Sequence, residues 1–328
     1  MMANMSFGQK NVVPYLKQIW KELTFDVYIL SDKTKKITYI VPSSTGTNPY
    51  LVERLCGDDA TINKIKRIYV WELRKFANSQ DAVCINMHKI LTRFFDDGFL
   101  VPEFVGQLFD IGNKEIQISS KNLKRVCKYN YEISNDPGMF RFFYEKMYFP
   151  YVKKRYADSA QIDSFDSMES FFKNGELIFI KLGGEYIAAQ LSEIDGDMYR
   201  LRRNGVLSES FVKDGALVAT YYFSMLRAKD MNAKTVYFGG SNPFLLDGVL
   251  RHKNVWGTRI FETEDSRRFI YLKNVLFDQP FIYVDEGKLK AVIFSDDNKL
   301  IKEYASSGLE FTVIEKANEK ESETVIMN

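Results

Sequence analysis

Few side chains in this sequence could move a proton near neutral pH. There are two histidines, His88 and His252. His252 lies with Asp247 in the stretch GGSNPFLLDGVLRHKNVWG, Gly239 to Gly257. A carboxylate or a neutral imidazole within reach of a nucleophile can act as general base, and the charges of Arg251 and Lys253 beside His252 favour the neutral ring. Competing readings stand next to these. Asp247 precedes Arg251 by four residues, which also fits a surface ion pair, and His252 on a surface helix also fits an inert side chain. Cys56, Cys84 and Cys127 are widely spaced and odd in number, without metal-ligand spacing, so a reducing compartment and no metal are expected. No Ser/His/Asp or Cys/His signature is present.

A second group of residues could bind anions. Val212-Lys213-Asp214-Gly215-Ala216-Leu217 opens a helix, and free N–H groups at such an end attract phosphate. Lys213 either adds to that field or merely opposes Asp214. Backbone N–H groups near Arg203, Asn204 and Gly205 could meet a carbonyl oxygen that becomes negative; alternatively Asn204-Gly205 is a plain turn. Gly239, Gly240, Ser241 and Asn242 close a strand, and Arg251, Lys253 and Trp256 would surround the resulting cleft. Trp256 could stack on a sugar or belong to the core.

These residues need a frame. Leu217, Val218, Tyr221, Met225 and Ala228 recur at helical spacing, predicting a helix from Gly215 to Met231 with Asn232 as its left-handed stop. Thr235 to Phe238 reads as a strand ending at the glycine pair, after which Ser241 or Asn242 caps a helix with Pro243 in its first turn. Upstream, Glu176–Leu182, Tyr186–Glu193 and Met198–Arg203 read as consecutive antiparallel strands turning at Gly183-Gly184 and Asp195-Gly196-Asp197. Helices are predicted for 142–156, kinked by Pro150, and for 167–173.

The first third predicts strands at 25–30 and 37–41, a loop at 42–49, and helices over 60–79, through Ile62, Ile65, Ile68, Tyr69 and Leu73, and over 87–95. The polar stretch 110–140 places a domain junction near 130. The expected organisation is an α/β domain at 1–130, a second domain at 131–262 and a small α/β extension at 263–328, with a frayed charged tail.

At Lys213-Asp214-Gly215-Ala216, GGSNPF, DGVLRHK and WG the sequence resembles the GNAT-like acyltransferases, more narrowly the branch of Fem-type transferases and acetyltransferase-like proteins of polysaccharide loci. The resemblance covers roughly residues 140 to 262. It implies an α/β (α+β) fold with a mixed, mostly antiparallel sheet flanked by helices, in which the fourth and fifth strands splay and the acyl donor enters between them. The amino-terminal domain would be a degenerate half of the same kind. Asp247 and His252 would be catalytic. Arg203, Asn204, Gly205, Lys213, Gly215 and Ala216 would hold the donor, acyl-coenzyme A. Gly239, Gly240, Ser241, Asn242, Arg251, Lys253 and Trp256 would face the acceptor. Coenzyme-A-dependent members carry Q/R-x-x-G-x-G/A at the donor loop; here the first glycine matches, Val212 stands at the Arg/Gln position and Leu217 at the last small one.

The 328 residues, 45% hydrophobic and 15% aromatic, suffice for two cored domains. A formal net charge of +2 argues against duplex nucleic acid, while leaving tRNA open through a local patch. No apolar run reaches the length of a membrane span, and MMANMSFGQKNVVPYLKQIW lacks a leader pattern, so a cytoplasmic protein is expected. The expected activity is direct transfer of an acetyl or aminoacyl group to an amine or hydroxyl of a sugar or peptide precursor of the cell envelope. The alternative is a GNAT-like scaffold that binds a ligand or partner without catalysis.

Overall fold

The computed structural model describes residues 22–156, 162–263 and 267–315. The amino-terminal stretch read for a leader and the charged tail lie outside them. Strands β1 (Thr24–Ser31), β2 (Lys36–Pro42), β3 (Thr61–Tyr69), β4 (Val83–His88) and β5 (Phe99–Pro102) come first. They are followed by β6 (Val105–Asp110), β7 (Asn130–Ser134), β8 (Gly175–Leu182), β9 (Glu185–Asp195), β10 (Met198–Val206), β11 (Thr235–Ser241) and β12 (Arg259–Glu262). The chain closes with β13 (Arg268–Lys273), β14 (Phe281–Asp285), β15 (Lys288–Phe294) and β16 (Glu310–Ile314).

Two compact units result. Among the described residues the first comprises 22–105, 242–250, 262–263 and 267–315, and the second 106–156, 162–241 and 251–261. The junction therefore falls at 105/106 and not near 130. The carboxyl-terminal strands are no appendage of the second unit: they complete the first unit's nine-stranded sheet, ordered β16-β15-β14-β5-β13-β4-β2-β1-β3. Strand pairing over long sequence separations produces this, and local composition carries no mark of it.

Within the first unit two helix expectations hold only in part: of 60–79, Val70–Glu72 is a 3-10 turn and Leu73–Asn78 an α-helix, while the earlier half is a strand. Thr61–Tyr69 is an edge strand antiparallel to β1, with a bulge opposite Val27/Tyr28. Its three-residue isoleucine spacing imitates a helical face, yet Ile62 and Ile65 are exposed and only Ile68 is buried. Val83–His88 is a fully buried strand between β13 and β2, and only Lys89–Phe94 coils, as a 3-10 turn. A continuous apolar run buried on both faces reads alike for either element.

The second unit's sheet has the order β12-β6-β11-β10-β9-β8-β7. Residues of β8 alternate between its two faces, as a strand must. Ile178 and Ile180 join the core under the Ala216–Asp230 helix, while Leu177 and Phe179 pack with Phe143, Met147, Met168 and Phe172. The segment expected to kink at Pro150 runs as helix from Pro137, passes through a π-helical stretch at Phe143–Tyr148 and continues over Phe149–Tyr156. The wide turns just before Pro150 make room for its ring.

The long helix begins after Gly215, which has φ +97°, a conformation glycine adopts without penalty. It stops at Asn232, φ +56°, with the Ala233 N–H bonded to the Ala228 carbonyl at 2.9 Å. Burial extends around most of its girth: Ala219, Thr220, Phe223 and Ser224 are buried with Tyr221 and Met225, while Leu217 and Val218 are only half-buried. Both units are mixed α/β with mostly antiparallel sheets.

Candidate functional site

The second unit holds a parallel crossover next to its antiparallel strands. Strand β10 leads through Glu209–Lys213 and the long helix into β11, and the two strands pair in parallel only at Met198↔Thr235, Tyr199↔Val236 and Arg200↔Tyr237. Strand β10 continues to Val206 against β9, and β11 to Ser241, without pairing to each other. A register shift between Leu201 and Arg203 in the β9–β10 ladder falls where β11 departs. An opening flanked by backbone edges follows. Because a crossover helix runs opposite to its strands, its amino end lies at the same carboxyl end of β10 and β11. Ligands of open α/β sheets bind at such ends.

Gly239 lies in this opening with φ +81°. A Cβ there would stand 3.7 Å from the Leu201 carbonyl and 3.8 Å from Lys253 Nζ. Gly240 is exposed, whereas Ser241 is buried. The Lys253 ammonium is also buried and donates to the Gly240 carbonyl at 2.7 Å and to Ser241 Oγ at 3.1 Å. Ser241 Oγ donates to Gln107 Oε1 at 2.8 Å, Gln107 Nε2 to Thr258 Oγ1 at 3.1 Å, and Thr258 to the Lys253 carbonyl. Lys253 and Ser241 therefore fix the end of β11 from inside and do not face a ligand. Gln107 was not expected here, since it is remote in sequence from the glycine pair, and Thr258 lies just past the Gly239–Gly257 stretch.

His252 is half-buried. Its ring stands edge-on to Tyr221 at 5.1 Å, and Tyr221 stacks on Phe238 of β11 at 5.4 Å. Burial lowers the His252 pKa, and the charges of Lys253 and Arg155 lower it further, so the ring is neutral at pH 7. Its Nε2 is buried without a hydrogen-bond partner. His252 therefore packs among aromatic side chains and is not an exposed surface group. Trp256 packs in the same aromatic group, 6.3 Å from Tyr221, and is 3% exposed, which makes it core and not a sugar platform. Arg251 is exposed.

Asn242 and Asp247 belong to the first unit. Asp247 Oδ1 accepts the N–H groups of Val249 and Leu250, both at 2.9 Å, and Oδ2 accepts Asn242 Nδ2 at 3.3 Å. The carboxylate thus caps the Gly248–Asn254 helix, which starts one turn later than expected, with Pro243 in the loop before it. The structure does not unite Asp247 with His252 in one unit.

At the donor loop Gly215 is buried and Ala216 fully so, while Lys213 and Asp214 are exposed. Tyr129 Oη donates to the Asp214 carbonyl at 3.1 Å. Arg125, from the Ser120–Val126 helix, lays its side chain against Gly215, its Cβ and Cδ 3.2 Å from where a Gly215 Cβ would be. The aliphatic stem of Arg125, ninety residues upstream, thus packs on this loop, with no local signal in the sequence to find it.

Arg203, Asn204 and Gly205 form no turn. Asn204 pairs with Gln190 and Gly205 with Ala189 inside the β9–β10 ladder. A Cβ on Gly205 would fall 2.6 Å from the Tyr148 nitrogen and 2.7 Å from the Met147 carbonyl carbon, so this glycine serves close packing of the π-helical stretch. The Arg203 guanidinium is paired with Asp163. Among the described residues no group of His, Cys, Asp and Glu could hold a metal, and no helix is long and apolar enough to cross a membrane.

Neither a family model nor a curated protein sequence matches the chain. Among solved structures it is similar to FemX, with a TM-score of 0.42 and 14% identity over 78% of this chain and 91% of that one. A GCN5-related N-acetyltransferase from Sphaerobacter thermophilus gives a TM-score of 0.36 at 11% identity, covering 78% of each chain. L-PGS from Bacillus licheniformis gives 0.34 at 9%, covering 76% and 80%. These are likenesses of chain course at low identity, and they assign no activity.

Proposed function

We propose that the second unit is an acyltransferase site that takes its acyl donor into the opening between β10 and β11. The single observation that carries this reading is the parallel ladder that ends at Arg200↔Tyr237 while both strands continue, at the amino end of the long helix. Backbone edges left open there can bind an acyl carbonyl, and the helix end with Arg125 beside Gly215 suits phosphate groups of the donor. The resemblance in the sequence points to the same chemistry.

In this scheme an amine or hydroxyl attacks the acyl carbonyl and forms the new C–N or C–O bond. The imidazole of His252 takes the nucleophile's proton, the C–S bond of a thioester or the C–O bond of an aminoacyl ester breaks, and the leaving group recovers the proton. The acceptor is a sugar or peptide precursor of the cell envelope, and the protein acts in the cytoplasm. Asp247, engaged as a helix cap, takes no part. Replacing His252 by Ala tests the scheme: transfer falls while donor affinity persists.

One observation favours the non-catalytic reading. Asp214 places an exposed negative charge at the loop where a pyrophosphate would sit. A protein with no affinity for coenzyme A or for charged tRNA fits that alternative.

A further inference from the structure

The first unit carries an amphipathic face that plays no part in this chemistry. Trp71 is 69% exposed, and its ring lies parallel to that of half-exposed Tyr69, the centroids 4.6 Å apart. Beside them Val70, Leu73, Leu91, Phe94 and Phe95 line an open groove of about 350 Å³ whose one charged lining residue is Arg74. Phe94 is exposed too, at 42%.

Arg74 lines this groove and Arg93 adjoins its Phe94, while Lys66 and Lys75 are exposed and close to it in the sequence. The Arg93 guanidinium lies 4.9 Å from the Phe94 centroid and Lys66 Nζ 3.9 Å from that of Phe76. Lys66, Arg74, Lys75 and Arg93 have no carboxylate partner among the described residues. Of the neighbouring acids, Asp26 holds Lys64 and Arg67 and Asp97 holds Lys273, while Glu72, bonded only to the uncharged Tyr69 N–H at 2.8 Å, keeps its negative charge. Asp96 adds one exposed negative charge beside Phe95 in the sequence. The excess is positive.

A glycan would need hydrogen-bonding groups along the groove, and its walls are apolar apart from Arg74. Exposed Trp and Tyr rings bordered by Lys and Arg match the boundary between lipid headgroups and acyl chains, where amphipathic rings settle and cations meet anionic headgroups. We propose that this face seats on the surface of an anionic lipid bilayer, with Trp71 and Phe94 at the acyl boundary and Lys66, Arg74, Lys75 and Arg93 on the headgroups.

The test is sedimentation of the full chain with vesicles of phosphatidylcholine alone or with about one third phosphatidylglycerol, read together with tryptophan emission. The expected result is binding to the anionic vesicles only, with a blue shift that Trp71→Phe removes. Arg74→Glu with Arg93→Glu should weaken binding by roughly tenfold or more, each cation contributing about a factor of five. Lys229→Glu, an exposed change in the second unit, should leave it unaltered. These substitutions are on the surface, and unchanged circular dichroism confirms folding. Absence of vesicle binding overturns the proposal, as does equal binding by the double variant. Concentration-dependent self-association abolished by Trp71→Ser would show instead that a second copy covers the face.

Discussion

Arg227 meets Glu176 fork to fork: Nε lies 2.9 Å from Oε1 and the second guanidinium nitrogen 2.9 Å from Oε2. The carboxylate is 4% exposed and also accepts Tyr199 Oη at 2.8 Å. This pair ties the last turns of the long helix to the start of β8 and to β10, the strand that forms one side of the opening. Removing one partner leaves a buried charge without its counterion, a loss of about 3 kcal/mol or more. Arg227→Met should therefore lower unfolding free energy by that order in urea titration, and Glu176→Leu combined with Arg227→Met should recover much of the loss. A double variant as unstable as the single one would show that packing, not the orphaned charge, sets the cost.

Two glycines should respond in opposite directions. Gly205→Ala forces a methyl group onto the Met147–Tyr148 backbone and should cost about 1 to 3 kcal/mol. Gly248→Ala meets nothing within 4 Å at the start of a helix and should be neutral or stabilising by up to about 1 kcal/mol. Thermal melting of the two variants side by side checks both.

Acid should weaken the protein in two windows. The His252 pKa is lowered from 6.5 in the folded state, chiefly by burial. As pH falls through 6.5 the unfolded chain binds the proton first, so stability declines until the folded ring also titrates. His88, lowered by burial as well, acts in the same direction. Hydrogen bonding from Arg67, with Lys64 and Ser43, holds the Asp26 carboxyl well below its ordinary 3.8. Its contribution is present above 3.8 and is lost as pH falls below that value. Denaturant titrations between pH 7.5 and about 3 should show both declines, with His252→Phe flattening only the first.

The two catalytic candidates of the sequence should separate under mutation. His252→Ala should reduce transfer by about a hundredfold or more with donor affinity retained, the scale of a lost general base. Asp247→Ala should cost about 1 kcal/mol of stability as a lost cap and leave turnover intact. Single-turnover assays and melting of both variants decide it; a large activity loss with Asp247→Asn, which still caps, would return that residue to the mechanism.

The sequence exposes what is local in this fold. The long helix, its Asn232 stop and the hairpin at Gly183-Gly184 follow from periodicity and from residues tolerant of positive φ, and the structure has them there. Thr61–Tyr69 misleads because isoleucines three apart satisfy a helical template while an exposed edge strand makes no demand of strict alternation. The return of 268–314 to the first unit's sheet is a long-range pairing without local trace. The site divides along the same line. His252 and Gly239 could be named from their neighbours in sequence, while Arg125 and Gln107 come to it only through tertiary packing. Lys253 looks like a surface group until burial is known, while for Trp256 burial decides between the two readings the sequence leaves open.

The central claim is that a phosphate-bearing acyl donor enters at the amino end of the long helix. Isothermal titration with acetyl-coenzyme A, on the wild-type chain and on Arg125→Glu, tests it most directly. Saturable binding, weakened about tenfold or more when the cation beside Gly215 is reversed, is the predicted result. Equal binding by both proteins, or no binding to either, would contradict it.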